Sequence, residues 1–382
     1  MRILIIRTYP NIMNIKNYNS QEIGLASAYR RAGHICDIVY FAGNTKSRVE
    51  TVPSSGGDIK IYWLRSFSVF NNGFFFGLRK IIKNYDLLQV SEYDQITSWM
   101  LYTFSQKPVY IYHGIYDSDI SKKHILKCKI VDTLLLHKRN TAGTKVFTKS
   151  ELAAESVKKR GFKDVITVGV GLDLNRFGDE ETESEFYKKL KAEKERENLK
   201  YLLYIGVLED RRNIKFLFKC FSEVLKRNSD VRLVMIGRGE PEYCKECFDY
   251  ADELSITDKI IYKEALPQNE LKGIYSICNI FLLPTKYEIF GMVLLETMAF
   301  GLPVVTSENG GSSTLIIDGN YGTIVDKFES DLWCDAVCRY LDDSAFSKLT
   351  ALNSSKLISE HFTWDSIANK ILNEYSDIAG DK

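Results

Sequence analysis

Ile280-Phe-Leu-Leu-Pro284-Thr-Lys-Tyr-Glu288-Ile-Phe-Gly291-Met-Val-Leu-Leu-Glu296-Thr-Met-Ala-Phe-Gly301-Leu-Pro303-Val-Val-Thr306 reads as strand, polar loop, short helix, strand. Ile280 to Leu283 is too short for a helix and wholly apolar, as a strand buried on both faces must be. Gly291 opens a helix from Met292 to Phe300, and Gly301 with Pro303 stops it before the next strand, Pro303 to Thr306. The first amides of such a helix have no helical partner and carry the positive end of its dipole, so the loop is built to receive phosphate. Glu296, one and a half turns into an otherwise apolar helix, needs a hydrogen-bonding partner, because an unpaired buried carboxylate costs several kcal/mol.

The same alternation runs outward in both directions. Leu202 to Gly206, Arg232 to Gly237 and Ile260 to Tyr262 are further strands of this half, each separated by a helical stretch. Arg2 to Ile6, Ile35 to Phe41, Leu87 to Val90, Val109 to Tyr112 and Lys145 to Phe147 form an earlier series, with Gln21 to Ala32 a helix closed by Gly33. Apolar runs alternating with amphipathic stretches predict an α/β protein with parallel sheets covered by helices on both faces. The reading is two Rossmann-like domains. The first spans 1–172 and is rejoined by an amphipathic helix in 363–382, and the second spans 173–362. Ligands of such sheets lie beyond the carboxyl ends of the strands.

Composition sets the bounds. At 382 residues with 45% hydrophobic content, the chain is long enough for two ordinary cores. A net charge of +1 offers no field for nucleic acid. The opening Met1 to Arg7 has too short an apolar run for a signal peptide, and no stretch approaches the roughly 18 apolar residues needed to span a bilayer. A cytoplasmic protein, at most peripheral to the membrane, is expected. Eight cysteines include Cys244-x-x-Cys247 and Cys334-x-x-x-Cys338. Their wide separation favours free thiols over a zinc site.

The segment from Pro284 to Val305 resembles the E-x7-E signature of glycosyltransferase family 4, retaining enzymes of the two-domain GT-B fold. Agreement continues, in chain order, at Gly33-His34, Tyr112-His113-Gly114, Val170 to Phe177, Tyr204-Ile-Gly206, Ile236 to Gly239 and Phe362-Thr-Trp364. The resemblance implies two domains facing across a deep cleft, with the last helix crossing back to the first. It also implies transfer of a hexose-type sugar from a nucleotide-diphosphate sugar, expected to be a UDP-sugar, to a glycan or lipid-linked acceptor in cell-surface polysaccharide synthesis. Glu288 would contact the donor sugar, Glu296 the ribose, and the amides of Phe290, Gly291 and Met292 the diphosphate, with Ile289 and Val293 among the further donor-binding residues. His113 would reach the donor from the first domain. No metal cofactor is implied.

Departures from the pattern matter. The family usually places Gly-Arg, then Lys five residues on, after the first strand of the second domain. Here Gly206 is followed by Val207, and Arg212 stands in the Lys position, with Arg211 and Lys286 as further cations. Asn14 to Gln21 replaces a Gly-Gly pair, and Thr314 replaces a glutamate. Asp117-Ser-Asp119 imitates the metal motif of another glycosyltransferase fold, but a tripeptide is weak evidence.

The acceptor is less legible. Phe67 to Lys80 and Lys122 to Lys129 combine aromatics with cations, as a membrane-facing surface would, although core packing of the phenylalanines and a solvated lysine face is favoured. A sugar-nucleotide epimerase and a non-catalytic subunit remain alternatives.

Overall fold

The computed structural model describes residues 1–15, 20–117, 122–177 and 184–376. These divide into two compact units, Met1–Asp173 with His361–Lys382, and Leu174–Glu360.

The first unit runs β1 (Arg2–Ile6), α1 (Gln21–Arg31), β2 (Ile35–Phe41), β3 (Arg48–Val52), β4 (Ile59–Leu64), β5 (Ser66–Val69), β6 (Asn72–Phe75), α2 (Leu78–Ile82), β7 (Leu87–Ser91), α3 (Ile96–Phe104), β8 (Val109–His113), α4 (Lys122–Leu134), α5 (Lys138–Ala142), β9 (Lys145–Thr148), α6 (Glu151–Lys159) and β10 (Asp164–Thr167). Among the described residues its sheet has the order β10-β9-β8-β7-β1-β2-β4-β3 and is parallel except at the β3–β4 pair. β1 lies between β2 and β7, so the strand order reverses beside β7. Leu4, Ile6, Val39, Val90 and Ile111 form part of its core, and each such side chain contributes about 1.5–3 kcal/mol on burial. β5 and β6 pair only with each other and form a separate hairpin.

The second unit continues with α7 (Glu185–Glu197), β11 (Lys200–Ile205), α8 (Ile214–Arg227), β12 (Val231–Ile236), α9 (Pro241–Glu253), β13 (Ile260–Lys263), α10 (Gln268–Ile277), β14 (Ile280–Leu283), α11 (Met292–Ala299), β15 (Val304–Thr306), α12 (Ser312–Leu315), β16 (Thr323–Ile324), α13 (Ser330–Asp342) and α14 (Ser344–His361). Its parallel sheet has the order β13-β12-β11-β14-β15-β16. Counting from β11, this is the doubly wound order 3-2-1-4-5-6, with its reversal between β11 and β14.

The last helix, α15 (Trp364–Asn373), belongs to the first unit, where it packs on α1. Two glycines make the seat. A Cβ on Gly24 would lie 2.3 Å from Trp364 Nε1, and one on Gly171 would lie 2.6 Å from Trp364 Cδ2. Leu172 N–H donates to Phe362 C=O at 2.8 Å, which fixes the entry to the helix, and Thr363 Oγ1 caps it by accepting from Ser366 N–H.

The cysteine pairs lie on helices α9 and α13, and all eight thiols are free. Burial pushes the Cys247 thiol up to about 11 and the Cys334 thiol up to about 12, so neither is disposed to ionise. No helix among the described residues is long and apolar enough to cross a membrane.

Candidate active site

In the second unit, the loops after β11 and β14 flank the strand-order reversal, the place where doubly wound sheets bind ligands. The two loops are stitched together. Lys286 N–H donates to Arg211 C=O at 2.7 Å, and the buried Thr285 Oγ1 donates to the same carbonyl at 3.1 Å. Arg211 Nη1 returns to Tyr287 C=O at 3.0 Å.

This stitching gathers the candidate charges. Glu288 Oε2 is ion-paired with Arg212 Nη1 and lies 3.3 Å from Arg211 Nη1. The Glu288 side chain is 14% exposed and that of Arg212 is 12% exposed, so the pair is partly shielded from solvent. Arg211 also reaches Glu209 at 2.7 Å, and Lys286 Nζ lies 2.9 Å from Asp210 Oδ2. Arg212 Nε is buried and has no hydrogen-bond partner among the described residues. A fixed guanidinium with an unspent donor is suited to an incoming anion.

Gly291 turns this loop into α11. Its φ of +80° and ψ of 82° lie in a region that side chains resist, and a Cβ there would meet Glu288 Cγ at 3.1 Å. The first intrahelical bond runs from Leu294 N–H to Gly291 C=O at 2.9 Å, so the amides of Met292 and Val293 lie ahead of it. Behind the loop, Gly310 N–H donates to Glu288 C=O at 3.0 Å. A Cβ on Gly311 would lie 1.7 Å from Phe290 C=O, so glycine is required there for the close approach. The buried Asn309 holds this turn by accepting from the Gly311 and Ser312 amides at 3.0 and 3.1 Å. Sequence reasoning gave Asn309 no role.

Glu296 is 4% exposed and accepts a hydrogen bond from Tyr275 OH of α10 at 2.8 Å. Tyr275 in turn stacks on Phe300, with ring centroids 5.3 Å apart. A neutral phenol therefore orients the carboxylate, another contact that sequence did not suggest. Val207, in the position where a cation is usual, is 51% exposed. Thr314 Oγ1 donates to Gly310 C=O at 3.0 Å, a bond local to that turn.

His113 belongs to the first unit, at the end of β8, the strand next to β7 on the side away from the reversal. It is 1% exposed; Nδ1 faces Glu92 Oε2, and Nε2 has no hydrogen-bond partner among the described residues. Glu92 follows β7 with φ +56°, an unfavoured conformation for a non-glycine residue. Both of its oxygens lie 3.2 Å from the Gly114 amide. Burial pushes the Glu92 carboxyl up, but His113, Lys149 and that amide outweigh it and hold its pKa down at about 2. Sequence reading singled out His113 and missed Glu92, whose signal is only that it follows a strand.

Asp117 is held by Arg160 in a fork of 2.6 and 3.0 Å, which lowers its pKa. Asp119 lies outside the described residues, as do positions 16–19 of the Asn14 to Gln21 loop.

The fold is that of GT-B glycosyltransferases. The chain aligns over 100% of both chains with sucrose-phosphate synthase from Thermosynechococcus elongatus, at TM-score 0.72 and 17% identity. It aligns with Anabaena HepE in complex with UDP-glucose at TM-score 0.68 and 15% identity, covering 99% of this chain and 100% of that one. Residues 185–356 match the family model glycosyl transferases group 1, inside the second unit. An uncharacterised glycosyltransferase of Methanocaldococcus jannaschii is 26% identical over 371 residues, 92% of each chain. The D-inositol 3-phosphate glycosyltransferase of Corynebacterium diphtheriae is 27% identical over 184 residues, 47% of this chain and 43% of that protein. The chain thus matches less than half the length of that second relative.

Proposed function

We propose that the protein is a retaining glycosyltransferase that moves a hexose-type sugar from a UDP-sugar to a glycan or lipid-linked acceptor. The observation that carries this reading is the Arg211–Arg212–Glu288 cluster beside the open amides of Met292 and Val293 at the strand-order reversal. It supplies both cations and amides where a diphosphate would be received. The match of residues 185–356 to group 1 glycosyl transferases, and the UDP-glucose held by the structurally similar HepE, support the choice of donor.

In this mechanism the sugar–phosphate bond breaks with charge growing on the diphosphate. The α11 amides and the Arg212 guanidinium stabilise that charge, so no metal is invoked. Glu288, steadied by both arginines, accepts hydrogen bonds from the sugar hydroxyls, and Glu296, oriented by Tyr275, accepts from the ribose. The acceptor hydroxyl attacks the face that the phosphate leaves and gives its proton to the departing phosphate. His113 is the first unit's candidate group, through its open Nε2.

Thermal-shift titration with UDP, GDP, ADP and their sugars tests the donor. A ligand at a hundredfold over its Kd adds about 2.7 kcal/mol, so UDP is expected to raise the melting temperature clearly. Failure of every nucleotide, or an equal shift in Glu296→Ala, overturns the assignment. Exposed Val207 and the carboxylate-paired cations favour one second reading, a subunit that binds donor without turnover. Release of UDP in the presence of mixed glycan acceptors separates the two.

A further inference from the structure

We propose that the first unit docks on an anionic phospholipid bilayer through the β5–β6 hairpin and the adjoining face of α2 and α3. The hairpin is a sheet of its own: Phe75 anchors it on the core of the unit, edge-on to Phe41, while Phe67 and Phe76 stay about half exposed. Phe67 stacks on Phe74 with centroids 5.1 Å apart, and Phe76 lies 5.6 Å from Phe67. At its tip Phe70 is 91% exposed, held outward by a left-handed turn with φ +46°. Phe104 of α3 is 67% exposed and Met100 is 49% exposed. Between hairpin and helices lies an apolar groove of about 710 Å³. Large contiguous apolar patches on an exposed surface mark binding faces.

Charge selects the partner. From Arg65 to Lys83 the chain has four Lys or Arg and no Asp or Glu, and Gln95 to Lys107 adds Lys107 with no acid. Arg79, Lys83 and Lys107 line the groove, which no carboxylate lines. Among the described residues none of these three is ion-paired, so their charge is unspent. Exposed aromatics inside a ring of cations suit the headgroup region of an anionic leaflet, where rings settle at the interface and ammonium and guanidinium groups meet phosphate.

The apolar face continues onto α4. Trp99 Nε1 of α3 donates to Leu135 C=O just past that helix at 3.0 Å. Leu126, Ile130 and Leu134, one turn apart on α4, are each more than half exposed. Lys127 on the same helix is not a lipid contact, because it lies 2.8 Å from the buried Asp94 carboxylate. Of the phenylalanines expected in the core, Phe75 packs there while Phe67, Phe70 and Phe76 are exposed, and Lys127, expected outside, is engaged within.

The test is co-sedimentation of the full chain with phosphatidylglycerol-containing vesicles and with pure phosphatidylcholine vesicles. Binding to the anionic vesicles alone, weakened by salt, is expected. Phe70→Ser with Phe104→Ser should abolish it, and Arg79→Glu with Lys83→Glu should weaken it at least roughly tenfold. An unchanged UDP-induced thermal shift in each variant shows that the fold and the donor site are intact. As a second readout, brominated lipid should quench Trp99, since Trp63, Trp333 and Trp364 are buried. Absent vesicle binding, binding indifferent to these substitutions, or a self-association removed by Phe70→Ser in place of vesicle binding would overturn the proposal.

Discussion

His113 and Glu92 form a buried pair across the ends of neighbouring strands, with Nδ1 of one facing Oε2 of the other. The pair fixes which ring nitrogen remains open, and that is Nε2. Glu92 holds it from a backbone conformation that costs about 1–3 kcal/mol. Strain of this kind persists only where the surroundings over-determine it.

Acid stability should report this pair. The Glu92 carboxyl is lowered from 4.5 to about 2 in the folded protein, so its contribution is fully present above pH 4.5 and is lost as pH falls toward 2. Glu92→Gln should unfold more easily at neutral pH, by about 3 kcal/mol, and its stability should depend less on pH across that window. Denaturant melts at several pH values measure both. Equal pH dependence in variant and parent would contradict the assignment.

Arg212→Ala removes the better-shielded partner of Glu288 and the unspent Nε donor together. UDP affinity by calorimetry should fall roughly tenfold to a hundredfold. Arg212→Lys should recover only part, since a point charge cannot reproduce the fork.

Gly311→Ala places a Cβ 1.7 Å from Phe290 C=O, so either the turn or the α11 entry must move. The melting temperature should drop by at least about 4 °C and UDP binding should weaken. At Gly319, where a Cβ meets nothing within 4 Å, the same change should leave both unaltered. Crystallographic or binding data showing an undisturbed Phe290 amide in Gly311→Ala would refute the account.

Val207 is half exposed beside the cations, so Val207→Arg can be accommodated without repacking. If the site is short of positive charge, UDP affinity should rise severalfold and donor turnover with it. A gain in binding without turnover would favour the donor-binding subunit.

The sequence showed the buried strands most clearly. Ile280–Leu283 was read with the bounds it has, because an apolar run between turn residues has few other solutions. β3 and β4 were missed: Arg48–Val52 is mostly exposed, and its pairing with Ile59–Leu64 is antiparallel, unlike the parallel rule used for the rest. The site was legible where chemistry sits in one segment, as at Glu288, Gly291 and Glu296. Tyr275 and Asn309 were illegible because their contacts arise from neighbouring elements, and neither residue type announces such a role. The Phe67 to Phe76 stretch was legible only in part, because aromatic density ordinarily means core: Phe75 does pack there, whereas Phe67, Phe70 and Phe76 are exposed on a satellite hairpin.

The seat of Trp364 against Gly24 and Gly171 has a consequence for biogenesis. The second unit lies between segments of the first, so its whole length leaves the ribosome before α15 does. Leu174–Glu360 can therefore complete its sheet during synthesis, while the first unit holds an unfilled slot over α1 until the final stretch emerges. Premature termination just before Trp364 would yield a finished second unit joined to a first unit that chaperones and proteases would read as incomplete.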